Sequence, residues 1–239
     1  MFVTHEPPIL GHGGSGNYLN MMIKFFRIKG HKVSLFIVDW GFLDTKIITE
    51  ALDDLKKNGV EINFVSFKKK NFFNNVIKIL YLIFKPSNIY FKQAKYIQNK
   101  LSKFHNKIKP DIFFLYCAQS LEWTKNIKDT KKFCPLIELP FLNSKLWLNF
   151  AINKRFQYKS LSKRFFAFIN LYINYFSQKK IIRLYKNCDF KAHVSYDYYN
   201  FLKQKKIEKI KYYNHPVEDI KLEHKDMINK KLFKGNENN

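Results

Sequence analysis

Apolar residues form two kinds of pattern at the start of the chain. Phe2 to Thr4 and Val33 to Val38 are short, largely apolar runs, which are typical of strands covered on both faces of a parallel sheet. Between them, four apolar residues recur at the spacing of a helix with one buried face: Leu19, Met22, Ile23 and Phe26. Lys29-Gly30-His31 then supplies the glycine and the cationic side chains that commonly end a helix. The segment predicts a strand, a helix and a second strand.

The alternation of extended and helical patterns continues to residue 213. Further helices are predicted at 42–58, within 72–108 as two parts broken near Pro86, in a short segment capped by Ser120, at 147–185, and at 196–205 behind a Ser195 cap. Further strands are predicted at 60–67, 112–116 and 135–140, in the segment before Ser195, and at 210–213. These strands, alternating with helices, predict an α/β fold, a Rossmann-like doubly wound parallel sheet with helices on both faces.

A glycine-rich stretch, Gly11-His12-Gly13-Gly14-Ser15-Gly16, separates the first strand from the first helix. Glycines remove side chains where the backbone turns tightly, so the N–H groups here and in the first helical turn can face an anion. We expect this anion to be a phosphate.

Gly11, Gly13 and Gly16 also match the G-x-G-x-x-G pattern of dinucleotide-binding proteins. Asp39 ends the second strand, where such proteins have a carboxylate that binds the ribose. In that fingerprint the first glycine leaves the strand directly. Here residues 5–10, two of them proline, intervene and form a wide loop. A dinucleotide-dependent enzyme therefore stays an alternative interpretation.

Three motifs along the chain share their order and spacing with a known pattern. The first comprises Thr4-His5-Glu6-Pro7-Pro8, Gly13-Gly14-Ser15-Gly16 and Gly30-His31-Lys32-Val33; the second is Asn187-Cys188-Asp189 leading into Ala192-His193-Val194-Ser195; the third is the turn at 213–219. Together they resemble the N-terminal, acceptor-side domain of a GT-B fold, family-4-like glycosyltransferase. His215-Pro216 departs from the family, which usually has glycine in this turn.

The resemblance implies a sugar transferase of which this chain carries one half. Residues 1–219 would be the N-terminal Rossmann-like domain, and residues 220–239 a linker and the start of a missing C-terminal domain. The complete enzyme would move a sugar from a nucleotide sugar to a glycan or a lipid-linked acceptor, as in cell envelope glycan biosynthesis. Neither a metal nor another cofactor is implied, and we expect the half to be inactive alone, as a truncated product or beside a separately encoded C-terminal domain.

The resemblance also implies roles for particular residues. Gly13, Gly14, Ser15 and Gly16 would lie against the donor diphosphate. On the acceptor side, ligands of open α/β sheets bind beyond the carboxyl ends of the strands, where the sequence has four polar residues: His5, Glu6, Gln119 and Glu138. No residue is singled out as the catalytic base, and no H-E-x-x-H, G-x-S-x-G or P-loop motif is present.

The charge of the chain is strongly positive, with a formal net charge of +24. Acidic residues are absent from 62–110 and from 151–188. Such an imbalance is typical of proteins that bind polyanions. Only four of the 43 basic residues are arginine, the residue that nucleic-acid readers favour for bidentate contacts. We therefore expect no nucleic-acid partner, and we weigh a solvated basic surface against an anionic membrane.

The segment 76–84 is apolar almost all round, which fits either a core helix or an element lying on a bilayer. No apolar run approaches the 18 or more residues of a membrane span. Cys117, Cys134 and Cys188 are too widely spaced for a metal site and predict buried thiols in a reducing cytoplasm. The location expected is cytoplasmic, with the inner face of the plasma membrane left open. The alternative function is a non-catalytic basic α/β module that binds an anionic membrane surface or a partner protein.

Overall fold

Strands and helices alternate along the residues that the computed structural model describes, which are 1–9, 13–41, 45–67, 86, 91, 93–135, 137–145 and 161–213. The strands are β1 (Phe2–Thr4), β2 (Ser34–Asp39), β3 (Glu61–Ser66), β4 (Ile112–Leu115), β5 (Lys131–Cys134), β6 (Phe190–His193) and β7 (Ile210–Tyr212). The helices are α1 (Gly13–Ile28), α2 (Thr45–Lys57), α3 (Ala94–Ile108), α4 (Ala118–Trp123), α5 (Leu161–Lys186) and α6 (Tyr196–Gln204). Residues 140–145 are also helical.

The strands form one seven-stranded sheet in the order β3-β2-β1-β4-β5-β6-β7. Every neighbouring pair is parallel. The chain first builds outward from β1 to β3 and then returns to place β4 on the other side of β1. In sheets of this kind, the crevice at the point of reversal is where ligands bind, beyond the carboxyl ends of the strands. The strand order therefore predicts a ligand-binding crevice at the carboxyl ends of β1 and β4.

Both faces of the sheet are covered by apolar side chains, as the continuous apolar strands predict. One face of β1, β2 and β4 packs against α1 and α2 through Leu19, Ile23, Ile48, Leu52 and Leu55. The opposite face packs against α3 to α6 through a second cluster that includes Ile97, Leu101, Trp123, Ile181, Tyr185 and Leu202. The α/β class, with a parallel sheet between two layers of helices, is confirmed.

Most element boundaries lie within a few residues of those predicted. The first helix ends at Ile28, and Gly30 follows in the left-handed region with φ 82°. Gly59 has φ 75° just beyond α2. Ser195 caps α6, as predicted, because its side chain accepts a hydrogen bond from the Tyr198 N–H. The glycine and serine signals were thus reliable because they reflect backbone geometry that few other residues provide.

Two predicted elements are wrong. The strand expected at 135–140 lies earlier, at Lys131–Cys134, and a helical segment begins at Pro140. Ile137 and Leu139 are buried without joining the sheet, and the prolines on either side cannot donate to a strand ladder. Ser120 does not cap the short helix but lies within α4, whose N-cap is Cys117. The Ser120 hydroxyl donates back to the Cys117 carbonyl oxygen at 2.5 Å.

Several predictions fall on segments outside the described residues. They are the first of the two helices predicted within 72–108, the apolar segment 76–84, the start of the 147–185 helix, and the domain boundary at 219 with the linker beyond it.

Gly16, in the first turns of α1, offers a test of how closely the helix approaches the loop after β1. A Cβ atom on Gly16 would lie 3.1 Å from the Ile9 carbonyl oxygen and 3.2 Å from that of Pro7. Helix propensity alone favours alanine over glycine by roughly 0.5–1 kcal/mol, whereas crowding a packed site typically costs about 1–3 kcal/mol. We expect Gly16→Ala to lower the free energy of unfolding by about 1 kcal/mol in urea titrations. An increase in stability would show that the loop yields freely and that the approach is not close.

Candidate active site

The loop after β1 brings His5 and Glu6 to the point where the strand order reverses. Thr4, which is fully buried, fixes the turn because its hydroxyl oxygen accepts the Glu6 N–H at 2.9 Å. Further along, the buried Asn20 of α1 donates its amide to the Pro8 carbonyl oxygen at 2.9 Å. The loop is therefore held at both ends, once by the strand and once by the helix.

His5 meets the end of β4 through Cys117. The Cys117 thiol is buried and contacts the imidazole, and Nε2 of His5 lies 3.9 Å from Oε1 of Glu6. Burial by itself lowers the pKa of His5, but Cys117 and the carboxylates of Glu6 and Glu138 outweigh it and raise the pKa to about 9. His5 is therefore an imidazolium at neutral pH. It can donate hydrogen bonds or balance a negative charge, but it cannot accept a proton.

Three polar atoms at this site lack hydrogen-bond partners within the described part of the chain: Nδ1 of His5, Oε2 of Glu6 and Oε1 of Gln119. Gln119 lies in the first turn of α4, two residues after Cys117. Most buried polar atoms in proteins are paired, so unpaired ones close together indicate a place for water or a polar ligand. The structure thus places His5 and Glu6 just after β1, and Gln119 in the short helix that follows β4.

Glu138 lies at the same end of the sheet, but not at the end of a strand as predicted. It is exposed and lies four residues beyond β5, in the irregular segment before the helical residues 140–145. Its charge acts on His5 and also raises the pKa of Tyr198, together with burial, which is the larger cause. Glu138 therefore faces the site from the β5 side.

His193, at the end of β6, holds this segment in place. Its Nε2 donates to the Ile137 carbonyl oxygen at 3.1 Å, and its Nδ1 accepts the Ser195 N–H at 2.9 Å. This arrangement requires the neutral imidazole, and burial lowers the pKa of His193 accordingly. His193 is therefore a positioning residue that joins the Glu138 segment to the start of α6.

Three tyrosines that were not among the predicted site residues also border the site: Tyr18, Tyr116 and Tyr213. The rings of Tyr18 and Tyr116 are stacked with centroids 5.9 Å apart, and the Tyr213 hydroxyl bonds with Tyr18 and donates to the Pro135 carbonyl oxygen at 3.2 Å. Burial raises the pKa of both Tyr116 and Tyr213, so their hydroxyls stay protonated. The sequence signal that could have identified them is position, because Tyr116 and Cys117 follow β4 and Tyr213 follows β7.

The predicted phosphate loop is partly helical. Helix α1 begins at Gly13, so Gly13, Gly14, Ser15 and Gly16 form its first turn, while Gly11 and His12 lie outside the described residues. The N–H groups of a first turn have no partner inside the helix and carry the positive end of its dipole. This turn follows the His5 loop directly, which suits an anion next to the polar cluster.

Asp39 does not fit the dinucleotide interpretation. It is 5% exposed, and its two carboxylate oxygens accept hydrogen bonds from the Gly41 N–H at 2.8 Å and the Ser66 hydroxyl at 3.0 Å. A ribose would have to compete with both. The carboxylate instead ties the end of β2 to the end of β3.

Two features are absent from the described residues. No group of three or more His, Cys, Asp or Glu side chains there is arranged to hold a metal ion. No helix in the same ranges is long and apolar enough to cross a bilayer.

The chain shows a distant structural likeness to a solved protein structure. No protein-family model and no curated protein matches the chain. Among solved structures, the chain is similar to a glycosyltransferase from Rickettsia africae ESF-5, with a TM-score of 0.37 and 14% sequence identity. The likeness covers 97% of this chain and 48% of the other, so this chain spans about half the length of the protein it matches.

The environment of His5 leads to a prediction about pH. The imidazole should titrate near pH 9, and Cys117→Ala should lower that pKa while Cys117→Ser, which keeps a hydrogen-bonding group, should lower it less. Because the folded pKa lies above the unfolded value of 6.5, the stabilisation is full below pH 6.5 and is lost as pH rises through about 9. Histidine NMR signals followed from pH 5 to 10 would check this. Titration of His5 near 6.5 would contradict it.

Proposed function

We propose that the chain is the acceptor-binding half of a glycosyltransferase, which transfers a sugar from a nucleotide sugar to a glycan or lipid-linked acceptor. The proposal is carried by one observation: three polar atoms without partners, on His5, Glu6 and Gln119, lie where the strand order reverses and beside a glycine-rich helix start. The motif order in the sequence supports the same function.

The chemistry of the cluster suits a sugar. Each sugar hydroxyl both donates and accepts a hydrogen bond, so it matches a site that offers donors and acceptors side by side. Here the His5 imidazolium donates, while the Glu6 carboxylate and the Gln119 amide oxygen accept. Glu138 adds a second carboxylate at the exposed rim. Hydrogen bonds to charged groups contribute more than neutral ones, about 1.5–3 kcal/mol each.

The donor would be shared between two parts of the enzyme. Gly13, Gly14, Ser15 and Gly16 would face its diphosphate through the N–H groups of the first turn of α1. The nucleotide would be held by a C-terminal domain, in the same polypeptide or separately encoded. We therefore expect the 239 residues alone to bind an acceptor without catalysing transfer, and this division needs neither a metal nor another cofactor.

Glu138→Gln tests the acceptor role. Removing the carboxylate charge should weaken binding of an oligosaccharide about tenfold, because a charged hydrogen bond is lost. Binding can be measured by the shift of the His5 NMR signal during titration with a panel of neutral and acidic oligosaccharides. Glu208→Gln is the matched control, because Glu208 is also an exposed glutamate but lies in the turn after α6. Equal affinities for the two variants would contradict the role of Glu138, and turnover of nucleotide sugars by the isolated chain would contradict its description as a half.

A second candidate function, a non-catalytic basic module on an anionic membrane, is favoured by one surface. Helix α5 exposes aromatic side chains at helical spacing, and we call this the α5 stripe: Phe168, Tyr172, Tyr175 and Phe176. Phe168 is 57% exposed, and the Lys179 ammonium lies 4.3 Å from the Tyr175 ring centroid. Aromatic rings interleaved with lysine are typical of helices that lie at the headgroup level. In this function the protein would work in the cytoplasm at the inner face of the plasma membrane.

Phe168→Ser tests the membrane function. It should lower the partition coefficient for phosphatidylglycerol vesicles, measured by sedimentation, about tenfold or more, because one buried aromatic ring contributes about 1.5–3 kcal/mol to partitioning. Phe25→Ser is the matched control: Phe25 is 51% exposed on α1, with the Lys29 ammonium 5.7 Å from its ring centroid. Sedimentation should also fall with added salt. Equal losses in both variants, or none in either, would contradict a role for the α5 stripe.

A further inference from the structure

Three tyrosines, two exposed and one half-buried, form an aromatic surface at the ends of β6 and β7, which we call the tyrosine platform: Tyr196, Tyr199 and Tyr212. Tyr199 is the half-buried one. Tyr196 and Tyr199 come from the first turns of α6, and Tyr212 ends β7. Tyr196 is 60% exposed and Tyr212 is 42% exposed. A contiguous exposed aromatic surface can mark a binding site.

The rings of the tyrosine platform are arranged as a floor and a wall. The Tyr196 and Tyr199 rings lie side by side and roughly parallel, with an interplanar angle of 30° and centroids 6.3 Å apart. Tyr212 stands nearly perpendicular to Tyr196, at 78° and 5.6 Å. A flat ring with apolar faces and a polar rim can lie on the floor, because each tyrosine offers an apolar face and a hydroxyl at its edge.

One cation lies at the rim of the tyrosine platform. The Lys203 ammonium lies 5.0 Å from the Tyr199 ring centroid and hydrogen-bonds the Tyr199 hydroxyl. At about 100° per residue, Tyr196, Tyr199 and Lys203 share one face of α6, while Asp197 points about 130° away from it. The charge next to the rings is therefore positive, which favours an anionic group on whatever the rings bind.

Helix α6 connects the tyrosine platform to the candidate active site. On its other side, Tyr198 hydrogen-bonds Asn143, and its ring centroid lies 5.2 Å from that of His193. The charge of Glu138 acts on Tyr198. One helix therefore faces the Glu138 side of the site with one surface and carries the aromatic rings on another.

We propose that the tyrosine platform is a subsite for an acidic oligosaccharide, with one sugar ring stacked on Tyr196 and Tyr199 and its anionic substituent beside Lys203. This rests on the proposed acceptor function, and it deepens that function by specifying an acceptor that is longer than one sugar and carries negative charge. The platform favours a sugar over a lipid surface because its three rings form a small concave surface and not an extended apolar face.

The test uses the full chain and isothermal titration with oligosaccharides of three to six sugars, neutral or carrying carboxylates or phosphates. We expect acidic oligosaccharides to bind, the double variant Tyr196→Ala/Tyr212→Ala to lose about tenfold or more in affinity, and Lys203→Gln to weaken only the acidic ones. Tyr96→Ala and Lys100→Gln are matched controls. Tyr96 is a 47% exposed tyrosine whose ring contacts Phe67, with the Lys100 ammonium 5.7 Å from its centroid.

Several outcomes would overturn the subsite. The first is an absence of binding to every oligosaccharide at about 1 mM. The second is an equal loss of oligosaccharide affinity in the Tyr96→Ala control. The third is binding of single-stranded RNA or phosphatidylglycerol vesicles that is tighter than oligosaccharide binding and is abolished in the double variant. The two proposals can fail separately. Oligosaccharide binding that depends on Glu138 but not on the tyrosines would leave the acceptor site standing without the platform. Binding that depends on the tyrosines but not on Glu138 would support a glycan-binding surface without the acceptor site.

Discussion

Parallel pairing of β1 with β4 is the constraint on which the site depends. The strand β1 has only three residues, and it is tied to β4 by the Phe114 N–H to the Met1 carbonyl oxygen at 2.8 Å and the Tyr116 N–H to the Val3 carbonyl oxygen at 3.1 Å. The two strands are neighbours in space but are separated in sequence by the whole of the first three βα units. Because they end together, the residue pairs that follow them, His5-Glu6 and Tyr116-Cys117, meet.

Behind the site, a buried ion network holds α4 against α5. Glu122 is 3% exposed, and its Oε1 lies 2.6 Å from the Lys125 ammonium and 3.1 Å from that of Lys180. A buried carboxylate is costly unless it is paired, and loss of both lysines would leave the Glu122 charge uncompensated, at a cost of about 3–5 kcal/mol. The pairing therefore fixes the short helix that carries Gln119, even though six residues alone would form only a marginal helix.

The sequence predicted structure well where local backbone geometry or the spacing of apolar residues determines it. It predicted structure poorly where long-range packing does. Gly30, Gly59 and Ser195 marked helix ends correctly because turn and cap geometry is local. The 135–140 segment is largely apolar, which predicts a buried strand, but Ile137 and Leu139 are buried in the core cluster without pairing in the sheet. The true strand, Lys131–Cys134, begins with two lysines and has no clear apolar pattern.

The same distinction explains which site residues could be anticipated. His5, Glu6 and Gln119 follow predicted strands, so their common edge could be inferred from the parallel sheet alone. Other features of the site depend on distances across the sheet, which no local sequence pattern encodes. They are the contact between His5 and Cys117, the neutral state of His193, and the hydrogen bond between Tyr213 and Tyr18. Polar atoms that stay unpaired in a buried setting cost about 1–3 kcal/mol each. Three of them, on His5, Glu6 and Gln119, follow β1 and β4 where the strand order reverses, and they give this edge of the sheet unused hydrogen-bonding capacity.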